Sequence, residues 1–265
     1  MLDFGSNHDP MPAAAENPFY RFLYQVGGIG SLTLECIRDL FRRPFEFRLL
    51  MEQLDDIGWG SLNVVNLTAI FSGMVLVLQM GEFLGRFGAK IYVSRIIGIS
   101  MLREMGPVLT ALMIGARVGA GITAEIGTMA VTEQIDALRA LAVSPVKRLV
   151  VPRLIATVVM LPMLTMVADV VGLIGGLVIS VFELGLSAEF FYTSLLRALT
   201  VKDVVGGLAK AAVFAYLIVI IACANGLRTR GGADGVGQAT TSTVVTASIS
   251  VLVADFFVTK LLLNV

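Results

Sequence analysis

Long stretches without charge dominate this sequence. Three of them hold at most one charged side chain: residues 57–81, 154–182 and 235–254. A helix needs about 20 mostly apolar residues to cross the hydrocarbon core of a bilayer with its backbone polar groups bonded internally. Two further apolar blocks are long enough but contain internal charges: residues 96–132 and 204–227. The pattern predicts an all-α integral membrane protein with five transmembrane spans.

The composition agrees with a membrane location. Hydrophobic residues make up 56% of the 265 residues and charged residues 15%, and the mean hydropathy is +0.84. Soluble domains carry about 25% charged residues. We expect one membrane domain over residues 57–265, because no connection is long enough for a separate soluble domain. Its spans are predicted at residues 57–81, 98–125, 154–182, 204–227 and 237–260.

The first 56 residues differ from the rest. Residues 1–18 form a polar tail without a basic residue, which is the wrong composition for a cleavable signal peptide. Residues 19–56 are predicted to be a helical segment, in which residues 35–56 mix arginines with aromatic and aliphatic side chains. This mixture predicts a helix lying along the cytoplasmic face of the membrane. A soluble packing helix is the alternative.

The distribution of basic residues favours a cytoplasmic N-terminus and a C-terminus on the opposite side of the membrane. In that orientation eleven lie on the cytoplasmic side: Arg21, Arg38, Arg42, Arg43, Arg48, Arg139, Lys147, Arg148, Arg153, Arg228 and Arg230. Seven lie on the other side: Arg86, Lys90, Arg95, Arg103, Arg197, Lys202 and Lys260.

Several functional classes lack support in the sequence. The net charge is zero and no long Lys/Arg run suggests nucleic acid. His8 is the sole histidine, and Cys36 and Cys223 lie too far apart in sequence for a metal motif, so both cysteines are interpreted as small apolar residues. A Gly-x-x-x-x-Gly-Lys phosphate loop is missing. We therefore expect no catalytic residue, metal or cofactor in this chain.

Glycines inside the predicted spans indicate close helix packing. The second span contains Gly115-x-x-x-Gly119, and the third contains Gly172, Gly175 and Gly176. Small residues at such spacings let helix backbones approach one another in lipid. The pattern predicts a tightly packed bundle and says nothing about a substrate.

A short charged helix is predicted at residues 132–143, between the second and third spans. On a helical wheel Ile135, Leu138, Leu141 and Ala142 share one arc, and Glu133, Asp136 and Arg139 share the other. Thr132 is the expected N-cap, and Pro145 is expected to end the helix. Such a helix either lies in the lipid headgroups or docks its apolar stripe into a groove on a partner. The pattern by itself favours the first alternative.

One ordered set of motifs resembles a known family. Residues 102–156 contain R-E-x-G-P, then T-A-E-I-G, then E-Q-I-D-A-L followed by S-P, and the likeness extends to residues 71–79 and 239–259. The region resembles the signature of the MlaE/YrbE permeases, the membrane subunits of ABC transporters that move phospholipids or other lipids in bacteria. The resemblance covers most of the chain from about residue 60 onward.

The resemblance implies a homodimeric permease in the bacterial inner membrane. Its expected partners are a second copy of the chain, a cytoplasmic ABC ATPase that holds ATP and Mg, and a periplasmic MCE-domain protein; its expected substrate is a phospholipid. The charged helix would dock into the ATPase. Ile135, Leu138 and Leu141 would enter the groove, and Glu133, Asp136 and Arg139 would fix the register.

The resemblance also implies a lipid pocket at the dimer interface. In the family, the region of Met74, Val75, Leu78 and Gln79 lines a pocket for acyl chains; ordinary packing is the alternative for each of them. Arg103 and Glu104 precede Gly106-Pro107 at the outer end of the second span. They are expected either to pair with each other at the interface or to meet a lipid headgroup.

Other charged residues fall within the spans. A charge at the bilayer centre is unfavourable, so such residues usually pair or line a wet cavity. Arg117 and Glu125 are eight residues apart on a similar helix face and are expected to pair with other helices. Lys210 and Asp255 are expected to form a structural salt bridge between the fourth and fifth spans.

Two other functional classes stay open on the sequence. An ion-coupled secondary transporter would use the buried acids as relays, although five spans without a visible internal repeat do not fit the usual architecture. A membrane scaffold of a multi-subunit complex would explain the small-residue packing, and it would not copurify with an ATPase.

Overall fold

Five long helices form a membrane bundle. The structure is a computed structural model that describes residues 27, 30–36, 38 and 47–263. Five helices in it are long and apolar enough to cross a bilayer, and we number them spans 1 to 5: Phe47–Arg86, Lys90–Val131, Val146–Phe182, Val201–Leu227 and Gly232–Leu262. No strand occurs in the described part of the chain. The prediction of an all-α membrane protein with five spans is confirmed.

Two short helices connect the spans, and we use them to name the two ends of the bundle. The helix Gln134–Ala140 joins spans 2 and 3, and the helix Ala188–Ala198 joins spans 3 and 4. Because the connections are short, successive spans run in opposite directions. We call the end that carries Gln134–Ala140 the helix-134 end and the opposite one the helix-188 end.

Span 2 is not a uniform α-helix. It consists of six consecutive pieces, of which the first is a 3₁₀ turn and the third and fifth are π-helical: Lys90–Tyr92, Val93–Ser100, Met101–Met105, Gly106–Ile114, Gly115–Gly119 and Ala120–Val131. Pro107 follows the first π segment and cannot donate a backbone hydrogen bond. A π turn at that point changes the direction of the side chains, and such turns often occur at functional sites.

The other spans are more regular, and caps are present at the start of span 4 and of the helix that connects spans 3 and 4. Span 3 opens with the π turn Val146–Val150 and continues as the helix Val151–Phe182, and the span 5 helix extends over Gly232–Leu263. Ser187 accepts a hydrogen bond from the backbone N–H of Phe190 at 3.2 Å and so caps the helix Ala188–Ala198. At the start of span 4, the Asp203 carboxylate accepts the backbone N–H of Thr200 at 2.8 Å.

Glycines bring spans 1 and 3 into backbone contact. A Cβ atom on Gly73 would collide with the carbonyl oxygen of Gly172, and a Cβ on Gly175 would lie 2.5 Å from the carbonyl oxygen of Ile70. A Cβ on Gly176 would lie 2.9 Å from a methyl of Val77. Close packing of this kind holds helices together in lipid, where no hydrophobic force acts between them. The small-residue packing expected in span 3 is present.

Span 4 forms the centre of the bundle. Its buried apolar residues include Phe214, Ile218 and Ile221. Ile218 lies against span 2. A Cβ on Gly119 would sit 3.3 Å from one Ile218 methyl, and a Cβ on Gly115 would sit 3.7 Å from the other. The Gly-x-x-x-Gly motif therefore packs spans 2 and 4 together.

The N-terminal segment differs from the interfacial helix expected for residues 35–56. Residues 47–56 belong to the same helix as span 1, which runs without a break over Phe47–Arg86. Leu54 packs against the core and Ile57 is buried, and the sequence offers neither proline nor glycine before Gly58 to end a helix. The helix therefore crosses the boundary that the sequence predicted at residue 56. The predicted tail at residues 1–18 lies outside the described residues.

Part of the preceding segment packs inside the bundle. Residues 30–36 are helical, and Leu32 and Cys36 are 0% and 1% exposed within the core. The Thr33 and Tyr216 hydroxyls are hydrogen-bonded at 2.6 Å, which ties this segment to span 4. Cys36 and Cys223 are both buried, in agreement with their interpretation as small apolar residues.

The remaining helices extend beyond the predicted spans at most ends. Span 2 was expected from residue 98 but its helical structure begins at Lys90, and span 3 was expected from residue 154 but begins at Val146. Hydropathy marks the part of a helix that sits in hydrocarbon, whereas backbone hydrogen bonding continues into the polar interface. The boundary differences follow from that distinction.

Candidate functional site

A buried lysine connects three spans near the helix-188 end. The Lys210 side chain of span 4 is 2% exposed. Its ammonium donates to Glu104 Oε2 of span 2 at 2.6 Å, to Asp255 Oδ1 of span 5 at 3.0 Å and to Thr259 Oγ1 at 2.6 Å. All three donors of the ammonium are therefore used. We call Lys210, Glu104, Asp255 and Thr259 the Lys210 cluster.

The backbone places these groups together. Glu104 lies in the π segment Met101–Met105. Span 4 approaches this segment so closely that a Cβ on Gly207 would collide with the carbonyl oxygen of Leu102. Lys210 follows Gly207 by about one turn, so its side chain leaves span 4 next to the Glu104 carboxylate. The close approach at Gly207 and the π turn thus set the geometry of the cluster.

The Lys210 cluster carries more negative than positive charge. One ammonium faces the two carboxylates of Glu104 and Asp255, which are 38% and 21% exposed. The cation is buried and the anions reach toward the outside. Such an arrangement holds the lysine in place and leaves carboxylate oxygens that can accept a hydrogen bond or a second cation.

The sequence predicted part of this cluster. The expected Lys210–Asp255 ion pair is present, and Glu104 and Thr259 are additional partners that the pattern did not indicate. Arg103 does not pair with Glu104: its Nε donates to Asp203 Oδ1, because adjacent residues on a helix point in different directions. Nothing in the sequence indicated Asp203 as a functional residue beyond its position at the start of an apolar block.

The predicted acyl-chain residues lie elsewhere on the surface. Val75, Leu78 and Gln79 are exposed on span 1, and Met74 is half-buried. A small cleft between spans 1, 2 and 3 has a volume of only about 10 Å³, room for one water. Its lining includes residues of span 1 that lie one to two turns before Met74: Val65, Thr68 and Ala69. None of the four predicted residues lines this cleft.

The charged helix at the helix-134 end is shorter than expected and oriented differently. Glu133 has a φ of 60° and precedes the helix Gln134–Ala140. Thr132 is not its N-cap, because the Thr132 hydroxyl donates to the Thr128 carbonyl at 2.8 Å. Ala142 also has a positive φ, of 56°, so the helix ends before Pro145.

Its apolar stripe faces the bundle. Ile135 is 4% exposed and Leu138 packs against the same core, whereas Leu141 is 74% exposed. Asp136 and Arg139 form an ion pair with each other at 2.9 Å on the surface. The expectation that Ile135 enters a groove on a partner is corrected, because its side chain is already enclosed by this chain.

The remaining intramembrane charges pair between helices, as expected. Glu125 of span 2 lies 2.6 Å from Arg153 of span 3, and Arg117 of span 2 lies 3.7 Å from Asp56 of span 1. Arg153 is 5% exposed. The sequence had placed it among the flanking basic residues, because a charge one turn inside an apolar helix cannot be distinguished from one at its edge.

Metal chemistry has no support in the described residues. They contain no group of three or more histidine, cysteine, aspartate or glutamate side chains placed to hold a metal ion. The candidate site is the Lys210 cluster, in which the cation is buried and the carboxylates are partly exposed.

Comparison with known proteins identifies the family. Residues 50–261 match the family described as Permease MlaE. A probable ABC transporter permease protein of Rickettsia bellii is 42% identical over 92% of this chain and 95% of its own length. The intermembrane phospholipid transport system permease protein MlaE of Haemophilus influenzae is 37% identical over 89% of this chain and 97% of its own length.

A plant protein is similar as well. The protein TRIGALACTOSYLDIACYLGLYCEROL 1, chloroplastic, of Arabidopsis thaliana is 33% identical over 91% of this chain and 71% of its own length. The chain belongs to the MlaE permease family.

Proposed function

We propose that the chain is the transmembrane permease subunit of an ABC transporter that moves phospholipids between the inner membrane and a periplasmic lipid carrier. The observation that carries the proposal is its similarity, over 89% of its length, to a Haemophilus protein named for intermembrane phospholipid transport. The chain performs no covalent chemistry in this account. ATP and Mg would bind to a separate ATPase subunit, which would drive the conformational change.

A second copy of the chain would complete the lipid pocket. Val75 and Leu78 of span 1 are 47% and 43% exposed. Packing against another copy would turn this open apolar surface into one wall of an enclosed space, as ligand pockets require. The acyl chains would lie there, with Met74 and Gln79 at its edge.

The Lys210 cluster and Arg103 would meet the polar part of the lipid. Arg103 is 44% exposed even though it is bonded to Asp203, so its remaining N–H groups can reach a phosphate. The partly exposed Glu104 can accept a hydrogen bond from a headgroup. These residues would act by binding and orienting the lipid rather than by reacting with it.

The charged helix would transmit motion from the ATPase. Ile135 and Leu138 anchor the helix to the bundle, and the residues that can contact a partner lie on its other side: Glu133, Asp136, Arg139 and Leu141. Because its inner face is packed against the core, a displacement of the helix is passed to spans 2 and 3. The N-terminus would be cytoplasmic, with the MCE-domain partner at the helix-188 end.

Affinity purification tests the partnership. The native chain, tagged and extracted in mild detergent from cells that make all partners, should copurify with an ATPase, an MCE-domain protein and phospholipid. Leu141→Asp should lose the ATPase, because it puts a charge on the exposed contact side of the helix. Phe87→Asp is the matched control: Phe87 is 72% exposed at the opposite end, and this variant should keep the ATPase.

Two outcomes would count against the proposal. If the native chain brings no ATPase in any of several detergents, a secondary transporter or a scaffold explains the chain better. If Leu141→Asp keeps the ATPase as well as Phe87→Asp does, the contact with the ATPase lies outside the charged helix.

A further inference from the structure

A second charged site lies at the helix-134 end, away from the Lys210 cluster. It consists of Arg117 of span 2 with Asp56 and Ser61 of span 1. We propose that Arg117 and Asp56 bind the headgroup of a zwitterionic phospholipid in the adjacent leaflet, with the phosphate on Arg117 and the ammonium on Asp56. The inference rests on the proposed function, since it names a headgroup class and an additional contact site for the same lipid substrate.

The structure holds the Arg117 guanidinium in a fixed position. Nη1 donates to Ser61 Oγ at 2.7 Å and to the backbone oxygen of Asp56 at 3.3 Å. The guanidinium lies against the backbone of Gly60, where a Cβ would come within 2.9 Å of its central carbon. Glycine at this position thus makes room for a flat cation beside span 1.

Both charged groups keep unused bonding capacity. No residue in the described ranges bonds to Arg117 Nε, and the Nη2 contact with Asp56 Oδ1 is long, at 3.7 Å. The Nε/Nη2 edge of a guanidinium is the one that binds phosphate oxygens in a bidentate manner. The Asp56 carboxylate is 72% exposed and the Arg117 side chain 38%, so a ligand can reach both.

The depth of the pair matches the headgroup region. Asp56 immediately precedes the uncharged residues 57–81 of span 1. A helix of that length rises about 37 Å, slightly more than the ~30 Å hydrocarbon core. Asp56 and the guanidinium bound to it therefore lie where the hydrocarbon ends and phosphates begin.

The charge pattern favours a zwitterionic headgroup over an anionic one. The pair contains one cation and one anion side by side, the inverse of a phosphate joined to an ammonium. An anionic headgroup without an ammonium would satisfy Arg117 but leave its negative charge beside Asp56, which repels it. Phosphatidylethanolamine is therefore expected to bind better than phosphatidylglycerol.

A purely structural role predicts a different result. If the pair served merely to tie span 1 to span 2, its loss would lower the thermal stability and affect all lipids alike. A headgroup site instead makes the two substitutions act differently on the two lipids. Headgroup preference therefore separates the two roles.

The experiment uses the complex in lipid nanodiscs with photoactivatable phosphatidylethanolamine or phosphatidylglycerol. Each lipid carries a diazirine near the headgroup, and the crosslinks are quantified on the peptides that contain Asp56 and Arg117. Arg117→Gln should reduce crosslinking of both lipids by about tenfold, since it removes a charge-assisted pair. Asp56→Asn should reduce that of phosphatidylethanolamine and raise that of phosphatidylglycerol. Crosslinking by Arg117→Lys should lie between that of Arg117→Gln and that of the native chain, because lysine keeps the positive charge but lacks the paired N–H donors of the guanidinium.

The controls identify which idea fails. Arg86→Gln breaks a comparable exposed pair with Glu82, 2.6 Å long, at the helix-188 end, and should leave these crosslinks unchanged. The headgroup site would be overturned if Asp56→Asn changed the crosslinking of both lipids in parallel, or if neither Asp56→Asn nor Arg117→Gln changed it. Equal displacement of the lipid by glycerophosphate and by glycerophosphoethanolamine would also overturn it, because the ammonium would then make no difference to binding. If the native chain crosslinks no phospholipid on any peptide, the proposed function itself fails.

Discussion

Lys210 is a buried cation that depends on side chains from other spans to balance its charge. Its side chain is 2% exposed, and its ammonium is bonded to two carboxylates from two other spans. Removing one partner of a buried ion pair leaves an uncompensated charge, which usually destabilises a protein by about 3 to 5 kcal/mol. The cluster therefore contributes to folding as well as to lipid contact, and substitutions must separate the two effects.

We expect Lys210→Met to lower the melting temperature of the purified chain strongly, because it leaves the Glu104 and Asp255 carboxylates close together without a cation. Glu104→Gln should lower it little, since Asp255 and Thr259 still hold the ammonium, while slowing lipid transport. Differential scanning fluorimetry in detergent measures the first effect and lipid transport by the reconstituted complex the second. Equal melting temperatures for Lys210→Met and the native chain would contradict the burial of the cluster.

At the scale of elements, the glycines of spans 1 and 3 determine how closely two helices approach. A Cβ on Gly73 would meet the backbone of Gly172, which cannot move aside as a side chain can, whereas a Cβ on Gly121 has nothing within 4 Å. The two positions therefore offer a matched pair of glycine substitutions in helices of the same bundle.

Gly73→Ala should destabilise the chain by about 1 to 3 kcal/mol, the usual range for overpacking. Gly121→Ala should be neutral or slightly stabilising, because alanine favours a helix more than glycine does. Thermal melting of both variants in the same detergent checks this. Equal melting temperatures for Gly73→Ala and Gly121→Ala would contradict the close packing of spans 1 and 3.

At the scale of the whole molecule, the exposed side of span 1 should be covered by a second copy. Cys36 and Cys223 are buried, so the native chain should react little with a bismaleimide. Leu78→Cys should give a crosslinked dimer in membranes. Ile174→Cys, on an exposed position of span 3, should give none. A dimer from Ile174→Cys but not from Leu78→Cys would place the interface on another face.

Much of this architecture is predictable from the sequence. Hydropathy located the five spans, because the membrane demands long apolar helices, and glycine spacing indicated where they pack closely. The partners of the charged residues were less accessible: Lys210–Asp255 could be guessed from two charges in apolar blocks, but Arg103–Asp203 depends on how the π turn at Met101–Met105 rotates the helix.

The charged helix shows why the site was harder to predict than the fold. Its amphipathic pattern placed Ile135 and Leu138 on one face, but it wrongly added Leu141, which is 74% exposed, and a pattern does not say whether an apolar face meets a partner or the chain's own core. The structure places Ile135 and Leu138 inward. Contacts between distant elements decide this, and no local period encodes them.

The most direct test of the account is ATP-dependent phospholipid movement by the purified complex in proteoliposomes. Transfer of labelled phospholipid between the liposomes and the MCE-domain partner should require ATP hydrolysis, and it should slow with Glu104→Gln in this chain while ATP hydrolysis continues. Lipid transfer that proceeds equally without ATP, or ATP hydrolysis by the intact complex with no lipid transfer, would contradict the assignment of this chain as the phospholipid permease.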